Sequence, residues 1–155
     1  MKRIAVVYGG FSSEVEISIK SGKSVAGWLR NAGYEVYEVL LTKEEWCVVE
    51  ESGRYIIDRN DFSCTIGSEK ITFDKVFIII HGDPGENGLL QAYFEMLDIP
   101  FIGSSSLVTA IAFDKYACKS YLRGKGVNLA KDLYNQCGTI RRILIASINT
   151  AKEKQ

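Results

Sequence analysis

Val76-Phe77-Ile78-Ile79-Ile80 runs directly into His81-Gly82-Asp83-Pro84-Gly85-Glu86-Asn87-Gly88. An unbroken apolar run reads as a strand buried on both faces, because a half-exposed strand alternates apolar with polar residues. The loop that follows is rich in glycine and polar groups, and an open parallel sheet binds ligands at this end of its strands. The pattern occurs once before. Ile4-Ala5-Val6-Val7-Tyr8 enters Gly9-Gly10-Phe11-Ser12-Ser13-Glu14-Val15-Glu16-Ile17-Ser18. There, Ser13 and Glu16 fit a Ser-x-x-Glu capping box that opens a helix. Ile17, Val25, Trp28 and Leu29 fall near helical spacing as its apolar stripe, and Gly33 is a suitable stop. Tyr34 to Leu40 then reads as a second strand. Strand, helix and strand in succession make a βαβ unit with parallel strands. The expected class is therefore α/β, an open and mainly parallel sheet flanked by helices.

Residues 43–74 are less regular, with short strands expected at Trp46 to Val49 and Arg54 to Ile57 around Gly53. A helix is expected from Gly85-Glu86-Asn87 to about Leu97, and a short strand at Pro100 to Ile102. A helical pattern then runs from Ser104 to about Lys125, with a break near Asp114. Gly124 and Gly126 end it, and Val127 to Ala130 reads as a further strand. From Asn135 the texture changes. Ile140, Leu144 and Ile148 fall at i, i+4 and i+8 among Arg141, Arg142, Lys152 and Lys154. That pattern suits an amphipathic terminal helix or a frayed or foreign tail. The expected division is one main domain over 1–120 and a separate region over 121–155.

A chain of 155 residues suits one domain with the start of a second, and 46% hydrophobic residues suffice for a core. Lys+Arg and Asp+Glu are 19 each, so the basic excess of a nucleic-acid partner is missing. The run Val76 to Ile80 is far too short to cross a bilayer. Met1-Lys2-Arg3 is followed by a short strand and not by a long apolar segment, so no leader is expected and the setting is expected to be cytoplasmic. Cys47, Cys64, Cys118 and Cys137 are scattered, and there is a single histidine. No zinc site of the usual spacing can be built from them, and reduced thiols are expected.

The loops differ in the chemistry they can carry. Gly9-Gly10 permits a sharp turn and a close approach to a ligand. Ser12, Ser13 and the helix-start amides can donate hydrogen bonds. Glu14 is stabilised by the helix dipole, would repel a phosphate and suits an ammonium group; alternatively, Glu14 and Glu16 are ordinary first-turn acids. The loop lacks Gly-x-Gly-x-x-Gly and Gly-Lys-Ser/Thr, which weighs against a dinucleotide site and excludes a P-loop. His81 at a strand end either serves the structure or donates to a carboxylate or phosphoryl oxygen. Glu86 caps a helix or holds the loop. Asp114-Lys115, read alone, are solvated helix charges.

Four segments in series resemble the N-terminal part of the D-alanine–D-alanine ligases, which are ATP-grasp enzymes. They are Gly9 to Ser18, His81 to Gln91, Ile99-Pro100-Phe101-Ile102-Gly103-Ser104 and Asp114-Lys115. The resemblance covers residues 1 to about 134. It implies a Rossmann-like, pre-ATP-grasp first domain. It implies a reaction in which ATP phosphorylates the carboxylate of a first D-alanine, the amine of a second attacks the acyl phosphate, and phosphate leaves. In that family's pattern Glu14 would hold the first substrate's ammonium, Ile17 would pack near its methyl group and Ser18 would help fix Glu14. His81 would contact its carboxylate and the acyl phosphate. Gly82, Gly103 and Ser104 would shape the wall, and Lys115 would reach toward ATP phosphates.

Three positions depart from the usual pattern. Val15 stands for His or Arg, Ile17 for Val, and Asn87 for Asp. After residue 130 there is no glycine-rich phosphate loop and no Asp/Glu…Glu-x-Asn cluster. ATP and magnesium are thus implied by the family, while their principal ligands are not found in this sequence and no metal site is assigned. The expectation is an N-terminal part that binds D-alanine weakly and is inactive alone, with residues 121–155 as a truncated ATP-grasp region or a non-native tail. Homodimerisation through an apolar tail is a further expectation. The competing reading is a non-catalytic Rossmann-like interaction or nucleotide-binding module.

Overall fold

The computed structural model of the chain describes residues 2–130 and the backbone of 133–134 and 140–141. It divides into two compact units, Met1–Ala110 and Ile111–Gln155. The first unit is built on β1 (Arg3–Gly9), α1 (Val15–Asn31), β2 (Glu35–Leu41), β3 (Trp46–Glu50), β4 (Gly53–Asp58), β5 (Ser63–Ile66), β6 (Glu69–Ile71), β7 (Lys75–Ile78), α2 (Leu89–Met96) and β8 (Phe101–Ile102). Its sheet has the order β6-β5-β4-β3-β2-β1-β7-β8. β1 pairs in parallel with both β2 and β7, and β7 with β8. The other half, from β2 outward to β6, is antiparallel throughout. The α/β reading stands, with a mixed sheet in place of a mainly parallel one, and its parallel part is the half that carries the glycine loops.

The apolar runs are explained by burial on two faces. Ile4, Val6 and Tyr8 of β1 join Ala26 of α1 in one cluster; Ala5 and Val7 face the other way into the larger cluster with Val39, Phe62, Val76, Leu90 and Phe94. Each such side chain contributes about 1.5–3 kcal/mol relative to exposure, so β1 anchors both layers.

The helix α1 buries only part of the stripe its large residues suggest: Val25 and Leu29 pack against the Tyr8 cluster, but small residues form its centre. Ile17 and Trp28 are 55% and 68% exposed, whereas Ser18, Gly22 and Ala26 are buried. These three are small and spaced by four, which lets the helix lie close on the sheet. A Cβ on Gly22 would stand only 2.3 Å from the Tyr8 ring. The capping box is not formed either. Glu14 holds the N-cap position without a side-chain bond, and its amide donates to Ser12 Oγ instead. Gly33 does end the helix, at φ +85°.

The short strands expected around Gly53 are present, and β5 and β6 extend the antiparallel half beyond them. α2 starts at Leu89 and not at Gly85, because residues up to Gly88 form a loop with a cis Asp83–Pro84 bond and a left-handed Gly88. The break near Asp114 separates α3 (Ser106–Phe113) from α4 (Lys115–Leu122), with the Asp114 carboxylate accepting from the amides of Tyr116 and Ala117. Residues 127–130 form no strand. Ile140–Arg141 pairs antiparallel with Leu133–Tyr134 as β10 and β9, in place of a helix start. Leu144, Ile148 and Cys137 lie outside the described residues. Cys47 and Cys64 are buried and free, and burial, then the charge of Glu50, pushes the Cys64 thiol up to about 11.

Candidate functional site: the strand-end crevice of β1 and β7

The two glycine loops meet where the parallel strands end. Gly10 donates its amide to Leu41 O at 2.8 Å, and Phe11 donates to Asp83 O at 2.8 Å. Gly10 sits at φ +99°, and a Cβ there would lie 2.5 Å from Ile80. Both the turn and the close approach therefore demand glycine.

Ser12 ties the two candidate functional residues together. Its hydroxyl donates to His81 O at 2.7 Å and accepts from the Glu14 amide at 3.2 Å. One side chain thus holds the start of α1 against the end of β7. Glu14 is exposed and His81 half-buried, so both are open to solvent at the mouth. Among the described residues neither the Glu14 carboxylate nor the His81 ring has a hydrogen-bond partner.

Ser18 lies beneath them, fully buried. It accepts from Gly9 N at 2.9 Å and donates to Ile79 O at 2.8 Å. Its only proton is committed to the backbone, so the residue acts by joining the ends of β1 and β7 under Glu14. Ile17 is one residue away and exposed, its side chain free to meet a ligand.

The His81 loop is pinned from within. Glu86 Oε2 accepts from Gly82 N at 2.9 Å, which settles that it holds the loop. Asn87 Nδ2 donates to Asp83 Oδ1 at 2.7 Å, a bond an aspartate there could not supply. Gly82 stands at φ +75° against Ser12, where a Cβ would approach to 2.9 Å. A cleft of about 380 Å³ opens alongside, lined by Ser21 and Val25 of α1, Ile80, His81, Gln91 and Gly103, among others. Among the described residues no lysine or arginine lines it.

The structure thus brings Glu14, Ile17, Ser18, His81 and Gly82 to one strand end, with Gly103 on the cleft beside them. Ser104 is exposed on the segment after β8, next to Gly103. Lys115 lies in the other compact unit, exposed at the first position of α4, with Nζ 3.5 Å from Ala112 O. Ser12 as a bridge, and Ser21 and Gln91 as lining, are what the sequence reading left out. Ser21 and Gln91 sit one face-repeat beyond Ser18 and the loop respectively, which a helical projection could have flagged. Among the described residues no three His, Cys, Asp or Glu side chains gather as a cation site. No described helix is long and apolar enough to cross a membrane.

An α/β unit with two glycine loops at adjacent parallel strand ends has the strand-end architecture at which open α/β sheets bind ligands. The particular family follows from comparison with known proteins. The D-ala D-ala ligase N-terminus family matches residues 3–104, and the chain belongs to it. It is 44% identical over 135 residues to the D-alanine--D-alanine ligase of Phocaeicola vulgatus, covering 86% of this chain and 42% of that protein. With the D-alanine--D-alanine ligase of Flavobacterium johnsoniae it shares 41% over 153 residues, 98% of this chain and 45% of that one. Among solved structures, D-alanyl-alanine synthetase A from Vibrio cholerae superposes with a TM-score of 0.78 at 28% identity, over 98% of this chain and 44% of that chain. The chain thus spans less than half the length of these curated relatives.

Proposed function

We propose that this chain supplies the first-substrate half of an ATP-dependent D-alanine–D-alanine ligase, a cytoplasmic enzyme of peptidoglycan-precursor synthesis. The observation that carries the proposal is the Ser12 bridge, which ties the backbone of an acidic residue, Glu14, to that of the single histidine, His81, at one strand end. A zwitterionic amino acid needs that pairing. Glu14 binds the ammonium, where its charge is complementary. His81 faces the carboxylate and, after phosphorylation, the acyl phosphate. Ile17 packs against the methyl group. Gly82, Gly103 and Ser104 form wall, and Ser18 positions Glu14 through the backbone. Lys115 serves the ATP phosphates when the rest of the nucleotide site is present. Residues 1–120 act as the substrate domain and 121–155 as the start of the next region.

On this reading the 155-residue chain alone binds D-alanine weakly, since the other contacts and the exclusion of water come from elsewhere. It forms no ADP from MgATP above background, with or without D-alanine. D-alanine shifts the resonances of the Gly9–Ser18 and His81–Gly88 loops, and Glu14→Gln abolishes those shifts while the melting temperature holds. Equal shifts in the mutant and the parent exclude Glu14 from the site. D-alanine-dependent ADP formation would show the chain to be complete by itself.

A further inference from the structure

We propose that Gln91 is the positioning residue of the His81 loop, acting through Gly85. Gln91 is only 5% exposed, in the first turn of α2. Its Nε2 donates to Gly85 O at 2.6 Å. The orientation follows from chemistry, because a carbonyl can only accept and must face the amide's NH2 end. Gly85 in turn presses on the residue before the histidine. A Cβ on Gly85 would stand 2.5 Å from Ile80 Cβ and 2.6 Å from Ile80 O. The chain of contact runs from α2 through Gln91 and Gly85 to Ile80 and so to His81.

The other end of the same amide shows why this is more than packing. Gln91 Oε1 is buried without a hydrogen-bond partner among the described residues. An unpaired buried carbonyl carries a desolvation penalty comparable with the benefit of the bond the NH2 end makes. The amide therefore adds little net stability, and a methionine of similar volume would fill the space as well. What the glutamine adds is a fixed place for the Gly85 carbonyl. Without it, that carbonyl must turn toward the cleft to find water, and Ile80 and His81 move with it. The side-chain ties of the loop from Ser12, Glu86 and Asn87 are nearer the surface, whereas the Gln91 bond is buried and shielded from competing water.

The inference rests on reading His81 as a substrate-facing group, and its test separates the two. His81 is the chain's single histidine, so its ring gives one unambiguous pair of NMR signals. In Gln91→Met the melting temperature stays within about 4 °C of the parent. The ligand-free His81 signal is nevertheless displaced or broadened, and its response to D-alanine falls at least about fivefold, a loss of about 1 kcal/mol in coupling. In Gln91→Glu the protonated carboxyl can donate to Gly85 O and the ionised one cannot. The difference from the parent, compared at each pH, closes as pH falls through that buried carboxyl's raised pKa and opens above it. A purely packing role moves stability and leaves both histidine readouts alone. A His81 signal in Gln91→Met that coincides with the parent's overturns the proposal. If Gln91→Met does not fold, the pH profile of Gln91→Glu decides, a flat profile counting against. A parent that ignores D-alanine defeats the substrate reading, while the ligand-free comparison still decides the role of Gln91.

Discussion

The two halves of the sheet are held together by different means. The antiparallel half packs onto α2 through rings: Phe62 lies 4.8 Å from Phe94 of α2 and 5.4 Å from Phe73, Trp46 lies 5.3 Å from Tyr93 of α2, and Arg59 caps Trp46 at 4.9 Å. Burial, then the nearby Asp61 and Asp58 charges, raises the Tyr93 hydroxyl to about 12. The parallel half at the strand ends has few large side chains to pack. It closes through glycines that allow backbone contact and through single polar tethers from Ser12, Ser18, Glu86 and Gln91. Apolar packing is tolerant of small shifts and stabilises in proportion to area. Directional bonds fix positions, which is what a ligand site requires.

The largest expected effect breaks the ring-packed half. Phe62 is 1% exposed at the centre of the aromatic cluster, and Phe62→Ala should cost about 3–5 kcal/mol. That corresponds to a fall of roughly 10 °C in melting temperature for a chain of this size. Below that transition the response of the Glu14 and His81 loops to D-alanine should be unchanged, as read by NMR. A crevice that fails along with the core would mean the halves are not separable. The tether half gives the converse case. Ser18→Ala removes one oxygen atom but leaves Gly9 N–H and Ile79 C=O without partners in a buried setting, at about 2–4 kcal/mol for the pair. Here the D-alanine response should disappear even at temperatures where circular dichroism shows a folded chain. A retained response would show that the strand ends hold their places without Ser18.

This division also explains what could be read from the sequence. The strands β1 and β7 are legible because burial on both faces leaves an unbroken apolar run. The loops are legible because their glycines and polar residues follow those runs directly. The face of α1 is legible in part: Val25 and Leu29 pack on the sheet as their spacing suggests, while close packing on Tyr8 selects Ser18, Gly22 and Ala26 for its centre and leaves Ile17 and Trp28 exposed. β5 and β6 are hidden because Thr65, Glu69 and Lys70 give them a polar outer face and they are only four and three residues long. Of the site, Glu14 and His81 announce themselves by residue type and place. Ser12 and Gln91 do not, since their importance lies in backbone atoms from Gly85 and His81 that only the folded chain brings within reach.

The smallest expected effect sharpens the comparison at the segment that carries Gly103 and Ser104. The Glu95 carboxylate at the end of α2 accepts from both the hydroxyl and the amide of Ser106, at the start of α3. The hydroxyl bond first, then the amide bond, holds the Glu95 carboxyl below its ordinary range. A group whose folded pKa is depressed stabilises the fold above its unfolded pKa, near 4.3, and that contribution is lost as pH falls through the folded value. Glu95 is exposed and screened by water, so the contribution is small and best read as a difference. The melting temperature of the parent should exceed that of Glu95→Gln at pH 7, and the gap should narrow progressively below about pH 4.3 as the parent's carboxyl takes up its proton. Parallel curves across that range would mean that the charge of Glu95 does nothing for the start of α3. The closing gap would show a further tether of the same kind as Ser18. This one is weakened by water where that of the buried Ser18 is shielded, and it fixes the segment that follows Gly103 and Ser104 through one carboxylate and two donors.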